Sequence, residues 1–165
     1  TVERIASVVR SFRGVKRRLD LLGRGRGVAV YEDFAHHPTA ITAVIGAVRK
    51  MHPDKRIVVG FEPRNATARR NVLLDDFAQS LAHADAVYIG KCPVDRRIPE
   101  DQRMDTHKLR QKVGDRAKAF AENEDLLKDL TQGLKAGDIV IFMSSGSFSG
   151  VQHKLAEFIT SDVRK

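Results

Sequence analysis

The sequence predicts an α/β protein built as a three-layer sandwich. Two observations support this prediction. Four short apolar runs of strand length recur along the chain, and helical patterns lie between them. Alternating strands and helices imply parallel crossover connections. Because the apolar runs are continuous and do not alternate with polar residues, helices should cover both faces of the sheet.

The elements follow in order along the chain. The predicted strands are apolar runs at 28–31, 57–61, 86–89 and 139–143. After the first strand, apolar residues at positions 41, 44, 45, 48 and 51 repeat with helical spacing. A second helix is predicted around positions 73, 77 and 81, and others at 105–113, 122–134 and 150–161. Residues 92–105, with two prolines and many charges, predict a long loop. We expect a Rossmann-like, mostly parallel sheet of about five to six strands with helices on both faces.

The first 26 residues differ from the rest in charge. They contain eight Lys or Arg and two acidic residues, so +6 of the chain's net +8 lies there. Apolar residues at positions 2, 5, 6, 9 and 12 predict a helix in this segment. We interpret residues 1–26 as a basic leader helix that enters from an earlier part of a longer protein, and residues 27–165 as the α/β domain. Such charge suits nucleic acid, a phosphorylated small molecule or plain solvent exposure.

Composition narrows the class of protein. The chain has 165 residues, of which 42% are hydrophobic, enough for one domain with a sizeable core. Its apolar runs are short and broken by charges, so we expect neither a membrane-spanning helix nor a signal peptide. The single cysteine, Cys92, cannot form an internal disulfide, which fits a reducing compartment. We therefore predict a cytoplasmic protein that does not contact membranes.

Polar residues follow each predicted strand at the point where it ends. In chain order they are Asp33, His36 and His37, then residues 62–65, then Lys91 and Cys92, then residues 144–148. Because the carboxyl ends of parallel strands share one edge of a sheet, these groups should converge there. The sequence therefore predicts a binding site at that edge.

The serine and glycine segment SSGSFSG, at 144–150, joins the last predicted strand to the last helix. Backbone N–H groups and hydroxyls at a helix N-terminus suit a carboxylate or a phosphate. The segment also fits a tight strand-to-helix turn that needs small residues. It lacks the GKS or GKT ending of a Walker loop, so an independent nucleotide triphosphatase is not expected.

The remaining reactive side chains predict neither a metal site nor a catalytic centre. His36 and His37 are adjacent, so their side chains diverge, and neither a cysteine pair nor an HxxxH spacing adds ligands. His36 also fits a structural hydrogen-bonding role at a helix start. Cys92 is more typical of a buried apolar residue than of a nucleophile. We therefore predict no metal ligands and no catalytic residues in this chain.

Three strings carry a resemblance to a known family. KRRLDLLGRGRGVAVYEDFAHHPTAI, at 16–41, resembles the opening of the C-terminal domain of Mur ligases, where an arginine precedes a strand ending in DxxHxP. FEPR at 61–64 and MSSGSFSGVQHKL at 143–155 are most similar to the murein-tripeptide ligases of cell-wall recycling within that superfamily. The similarity extends from about residue 10 to residue 160. The chain departs from those ligases in reading NAT at 65–67 where they have SNT, and SGSFSG at 145–150 where they have NGGFGG.

The resemblance implies roles for particular residues. Three positions match family residues at the nucleotide. Arg18 matches the arginine that reaches the nucleotide, Asp33 matches the acid that contacts the ribose, and His36 matches the histidine that orients the loop. Guanidinium suits phosphate, and carboxylate suits paired ribose hydroxyls. Four positions match regions that face the incoming amino component, whose carboxylates call for arginine, hydroxyl or N–H donors: Arg64, Ser144, Ser145 and Phe148.

The resemblance also implies a reaction. ATP phosphorylates the muramoyl carboxylate of UDP-N-acetylmuramate, and the amine of the murein tripeptide attacks the acyl phosphate. Magnesium, a P-loop lysine and a carbamylated lysine of the central domain stabilise the charges, while the C-terminal domain closes over the nucleotide. The implied cofactors are therefore ATP and Mg²⁺, held mainly by the central domain, and the implied partners are the N-terminal and central domains. On this interpretation residues 1–26 form the hinge-side connection, and this chain alone is inactive.

Two other classes remain open from the residues alone. A nucleic-acid-binding module would use the basic leader, although the chain has no Trp and two Tyr for base stacking. A dinucleotide-binding protein would share the fold, but no GxGxxG follows the first predicted strand. We expect neither, and predict no nucleic-acid partner.

Overall fold

The computed structural model describes Arg4 and residues 15–161. In that part of the chain six strands form one sheet in the order β1-β2-β6-β3-β4-β5. β1 runs antiparallel to β2, and every other neighbouring pair is parallel. The strands are β1 (Asp20–Gly25), β2 (Val28–Asp33), β3 (Ile57–Phe61), β4 (Ala86–Ile89), β5 (Ala117–Ala119) and β6 (Ile139–Met143). The predicted mostly parallel sheet is confirmed.

Within residues 15–161, five α-helices complete the sandwich. They are α1 (Pro38–Met51), α2 (Leu74–Leu81), α3 (Thr106–Val113), α4 (Asn123–Gly133) and α5 (Val151–Thr160). The first three pack on one face of the sheet, where Ile41, Phe77 and Leu109 share a buried cluster with residues of β2, β3 and β4. The last two cover the other face through a second cluster that includes Leu126 and Leu155. The three-layer architecture is thus also confirmed.

The central strands form because their residues are apolar on both sides. Every residue of β3, β4 and β6 is buried, and burying such side chains between two helical layers is the main stabilising contribution. One position needs a small residue, since a Cβ on Gly60 would lie 2.8 Å from the Phe142 ring. Continuous hydrophobicity therefore placed these strands correctly.

The sequence analysis did not place the two edge strands. β1 reads DLLGRG, so it lacks a continuous apolar run. Its pairing with β2 also carries a register irregularity between Leu21 and Gly23. It packs against α5 so closely that a Cβ on Gly25 would lie 2.0 Å from the Ile159 carbonyl oxygen. β5 is only three residues long. Of the helix expected from positions 2 to 12, the structure describes Arg4, which is helical, and the other positions lie outside the described residues.

The long loop predicted at 92–105 is tied to the segment after β3. Arg69 pairs with Asp95 at 3.1 Å, and the Met104 N–H donates to the Arg69 carbonyl at 2.8 Å. Within the loop a single short turn of 3₁₀ helix covers Glu100–Gln102. No helix in the described part of the chain is both long and apolar enough to cross a bilayer.

Candidate functional site

The carboxyl ends of β2, β6 and β3 meet at one edge of the sheet, called here the rim. Asp33 of β2 and Phe61 of β3 both stand in register with Met143 of β6. Just beyond the strands, the Ser144 N–H donates to the Asp33 carbonyl at 3.2 Å, and the Glu62 N–H donates to the Met143 carbonyl at 3.1 Å. The structure therefore brings the predicted groups of these three strands together.

Asp33 lies at the rim, but its carboxylate faces inward. One oxygen accepts from the Leu19 N–H and the other from the Ala35 N–H, each at 2.7 Å, and the residue is 3% exposed. A carboxylate that accepts backbone N–H bonds fixes the loops around it. Asp33 thus joins the segment before β1 to the loop after β2, and its implied contact with the ribose remains a prediction.

Phe34, half-buried, is the centre of an aromatic and cationic cluster beside Asp33. The Arg18 guanidinium, fully at the surface, lies 5.7 Å from the ring centroid, within cation–π range. The His36 ring contacts Phe34 edge-on at 4.8 Å between centroids. His36 Nδ1 donates to the Phe34 carbonyl at 2.6 Å, which leaves Nε2 for another partner. This cluster presents a guanidinium, an aromatic face and an imidazole to solvent.

Arg17, which the sequence analysis did not select, makes the internal contacts that its neighbour does not. Its guanidinium donates to the carbonyls of Ser144 at 2.6 Å and Gly146 at 2.5 Å. It also pairs with Glu32 at 3.8 Å and lies 5.4 Å from the Phe34 ring centroid. The string KRRL shows two adjacent arginines, and only the fold decides which of them turns inward.

Glu62, which the sequence places at this edge without assigning it a role, is a buried carboxylate between β3 and β6. It is 1% exposed, and its Oε2 accepts from the Ser144 hydroxyl at 2.6 Å. Its Oε1 accepts from Asn123 Nδ2 at 3.2 Å and lies 3.6 Å from the Arg64 guanidinium. Its position directly after a strand is the signal that places it at this edge, while its partners come only from the fold.

Asn123 connects the Glu62 carboxylate to the end of β4. Its Oδ1 accepts from the Lys91 N–H at 2.9 Å, while Nδ2 donates to both Glu62 and the Ser149 hydroxyl at 3.0 Å. The amide orientation is settled by its partners, because an N–H needs the oxygen and a carboxylate needs the NH₂. No sequence signal marked Asn123, which is the first residue of α4.

Arg64 lies across the serine and glycine segment. A Cβ on Gly146 would approach the Arg64 Cδ to 2.4 Å, so a larger residue here would displace the arginine side chain from its place over the loop. The Arg64 side chain is 46% exposed and remains open on the side away from Glu62. Ser145 is half-buried in the same loop. The two residues therefore border the rim, as expected for a site that binds a carboxylate.

Phe148 is part of the core. Its side chain is 1% exposed and packs edge-on against Phe142 at 5.3 Å between ring centroids. The ring supports the rim from beneath, and the role implied for Phe148 beside the amino component remains a prediction. The backbone here is unusual, since Phe148, Ser149 and Gly150 have φ values of 47°, 52° and 73°. Such left-handed residues cluster at functional loops.

The end of β4 adds a thiol and an ammonium group. Burial raises the pKa of the Cys92 thiol to about 11, so the thiol stays protonated at neutral pH. Lys91 pairs with Glu122 at 2.8 Å. Between residues 15 and 161 no group of three or more His, Cys, Asp or Glu side chains is arranged to hold a metal ion. The rim thus offers hydrogen-bond donors and positive charge for anions.

A family model described as "Mur ligase, glutamate ligase domain" matches residues 17–146, which include every part of the rim except the end of the serine and glycine segment. The chain belongs to the Mur ligase family. The expected resemblance is therefore confirmed.

Individual relatives agree with the family. The chain is 34% identical over 160 residues to the UDP-N-acetylmuramate–L-alanyl-γ-D-glutamyl-meso-2,6-diaminoheptandioate ligase of Escherichia coli, covering 92% of this chain and 32% of that protein. It is 35% identical over 144 residues to the UDP-N-acetylmuramate–L-alanine ligase of Lactococcus lactis, covering 87% and 31%. The chain thus spans about a third of the length of these Mur ligases.

A solved structure matches the fold over the whole of its own chain. It is a domain assigned to a UDP-N-acetylmuramate:L-alanyl-γ-D-glutamyl-meso-diaminopimelate ligase from Haemophilus ducreyi. It is 30% identical, with a TM-score of 0.68, and the match covers 86% of this chain and 99% of that one. The Mur ligase relatives give no support to the nucleic-acid alternative.

Proposed function

We propose that this chain is the C-terminal domain of an ATP-dependent ligase that joins UDP-N-acetylmuramate to a murein tripeptide in peptidoglycan recycling. The observation that carries the proposal is a Mur ligase domain whose rim holds an exposed arginine on each side of the serine and glycine segment. Arg18 lies over Phe34 on one side, and Arg64 lies across Gly146 on the other. Two guanidinium groups suit the two anionic reactants of such a ligase.

The Phe34 cluster is the proposed nucleotide side. The exposed Arg18 guanidinium fits a phosphate, and the free His36 nitrogen accepts a hydrogen bond from a nucleotide hydroxyl or amino group. Asp33 contributes by holding the loop through its backbone N–H bonds. ATP and Mg²⁺ are bound mainly by the other domains of the ligase, and Mg²⁺ supplies charge neutralisation at the transferring phosphate.

The Arg64 side of the rim is the proposed site for the amino component. Arg64 has donors that Glu62 does not occupy, and Ser145 and the backbone of the serine and glycine segment lie next to it. A murein tripeptide carries several carboxylates, and bidentate guanidinium contacts select that group. Because the proposed reaction consumes ATP and a nucleotide sugar, we place it in the cytoplasm.

Steady-state kinetics of the full-length ligase that carries this domain test the proposal. Phosphate release from ATP should depend on both UDP-N-acetylmuramate and the tripeptide, and L-alanine should be the poorer amine. Arg18→Ala should raise KM for ATP about 10-fold, and Arg64→Ala should raise KM for the tripeptide by a similar factor. The 165-residue chain by itself should form no product. Phosphate release that responds only to L-alanine would reassign the substrate, and product formed by this chain alone would overturn the proposed role.

A further inference from the structure

Burying the Glu62 carboxylate at this position costs desolvation free energy. A charge with 1% exposure is unfavourable unless it is paired and hydrogen-bonded. Here Ser144 and Asn123 supply two hydrogen bonds, and Arg64 supplies the positive charge. These three partners follow β6, begin α4 and follow β3, so one carboxylate joins three separate segments beside the proposed amine site.

Arg64 depends on that carboxylate for its direction. Its stem passes over Gly146, and its guanidinium lies at 3.6 Å from Glu62 Oε1 while 46% of the side chain stays exposed. An exposed arginine with no anchor samples many rotamers, and ordering it on binding costs affinity. The ion pair with Glu62 draws the Arg64 guanidinium toward the rim and leaves its remaining donors for a ligand.

Ser144 and Asn123 fix the carboxylate in turn. The Ser144 hydroxyl donates to Glu62 and accepts from the Gly146 N–H at 2.8 Å, which ties the loop under Arg64 to the same group. Asn123 uses both amide hydrogens, on Glu62 and Ser149, and its oxygen holds the Lys91 N–H. The Ser144 hydroxyl, the Asn123 amide and the Gly146 and Lys91 N–H groups thus each donate to an acceptor of this network.

We propose that Glu62 is a positioning residue for the amine substrate. It does not touch the tripeptide; it aligns the Arg64 guanidinium and holds the serine and glycine segment so that both meet a substrate carboxylate. Asn123 keeps the Glu62 carboxylate in place. The proposal rests on the proposed function only for the identity of the ligand, because the alignment of Arg64 by Glu62 is a property of the domain itself.

The first test measures that alignment without any ligand. In the 165-residue chain, the Arg64 Nε–H should be ordered on the nanosecond timescale by ¹⁵N relaxation. Glu62→Gln keeps the side-chain shape and removes the charge, and the Arg64 Nε–H should then become as mobile as that of the exposed Arg96. Glu157→Gln, the same substitution at an exposed position of α5, should leave Arg64 unchanged. An Arg64 side chain that is equally ordered with and without the Glu62 charge overturns the proposal.

The second test uses the full-length ligase. Glu62→Gln should raise KM for the tripeptide about 10-fold, with KM for ATP and kcat changed less than about 2-fold. Because Glu62 acts partly through Arg64, the double variant Glu62→Gln/Arg64→Ala should raise KM for the tripeptide by clearly less than the product of the two single effects. Independent, additive effects overturn the positioning role. If Arg64→Ala leaves the tripeptide KM unchanged, the substrate assignment fails, while the relaxation measurement still decides the role of Glu62.

A variant that fails to fold does not end the test. Glu62→Asp retains the charge but withdraws it from Arg64 by one methylene group, and it should show the same selective rise in tripeptide KM and the same loss of Arg64 order. Urea unfolding reports separately on stability. Equal increases in KM for ATP and tripeptide would indicate general damage to the domain and contradict the proposal.

Discussion

Asn123→Asp is a direct probe of the buried network at the rim. Asn123 Nδ2 donates to Glu62 Oε1 at 3.2 Å, while Oδ1 accepts from the Lys91 N–H at 2.9 Å. The substitution keeps the size of the side chain and the acceptor for Lys91. It replaces the donor that faces Glu62 with a second carboxylate oxygen, in a place where Asn123 is 1% exposed.

The distance between the two side chains gives the size of the expected loss of stability. Two unit charges 3.2 Å apart repel by about 5 kcal/mol at an effective dielectric constant of about 20. Adding a proton to a carboxyl with the ordinary pKa of about 3.9 instead costs about 4 kcal/mol at pH 7 and about 1.5 kcal/mol at pH 5. Protonation is therefore the cheaper route, and the new O–H restores a hydrogen bond to Glu62. The folded variant binds one more proton than the unfolded chain above pH 4, so its stability falls as pH rises.

Urea unfolding of the chain at pH 5 and pH 7 measures this effect. Relative to the wild type at each pH, Asn123→Asp should lose about 4 kcal/mol at pH 7 and about 1.5 kcal/mol at pH 5. Asn123→Ala removes the same donor without adding charge, so its loss should be the same at both pH values to within about 0.5 kcal/mol. Asn71→Asp, at an exposed amide, should change stability by less than about 0.5 kcal/mol. A loss for Asn123→Asp that does not depend on pH would refute the contact.

Two further predictions concern packing and reactivity. Gly25→Ala should lower the free energy of unfolding in urea by about 2 kcal/mol or more, because its Cβ would overlap the Ile159 carbonyl. Gly46→Ala, in the exposed and open middle of α1, should instead raise it by about 1 kcal/mol. Equal effects of the two substitutions would contradict the packing of β1 on α5. Burial raises the pKa of Cys92 from 9.0 to about 11, so at pH 8 iodoacetamide should alkylate it about 100-fold more slowly than an unstructured cysteine peptide, as followed by mass spectrometry. Alkylation at the peptide's rate would show that the thiol is not buried.

The sequence predicts those elements of the fold that depend on a local hydrophobic pattern. The continuous apolar runs at 57–61, 86–89 and 139–143 each became a buried strand with the predicted bounds. β1 was not predicted because its two glycines are needed where it packs closely against α5, whose residues lie more than a hundred positions away in the chain. β5 is too short to carry a period. The roles expected for residues at the rim remain predictions that the proposed kinetics test.

The sequence by itself determined the α/β class, the central strands and a family motif at residues 33–38, because hydrophobic periodicity and a short motif are both local properties of a chain. Only the tertiary structure decided which of two adjacent arginines turns inward, that the Asp33 carboxylate accepts backbone N–H groups, and that Asn123 meets Glu62. Those contacts join segments far apart in the chain. Whether two such groups come within about 3 Å depends on how helices and strands pack, which no local pattern records.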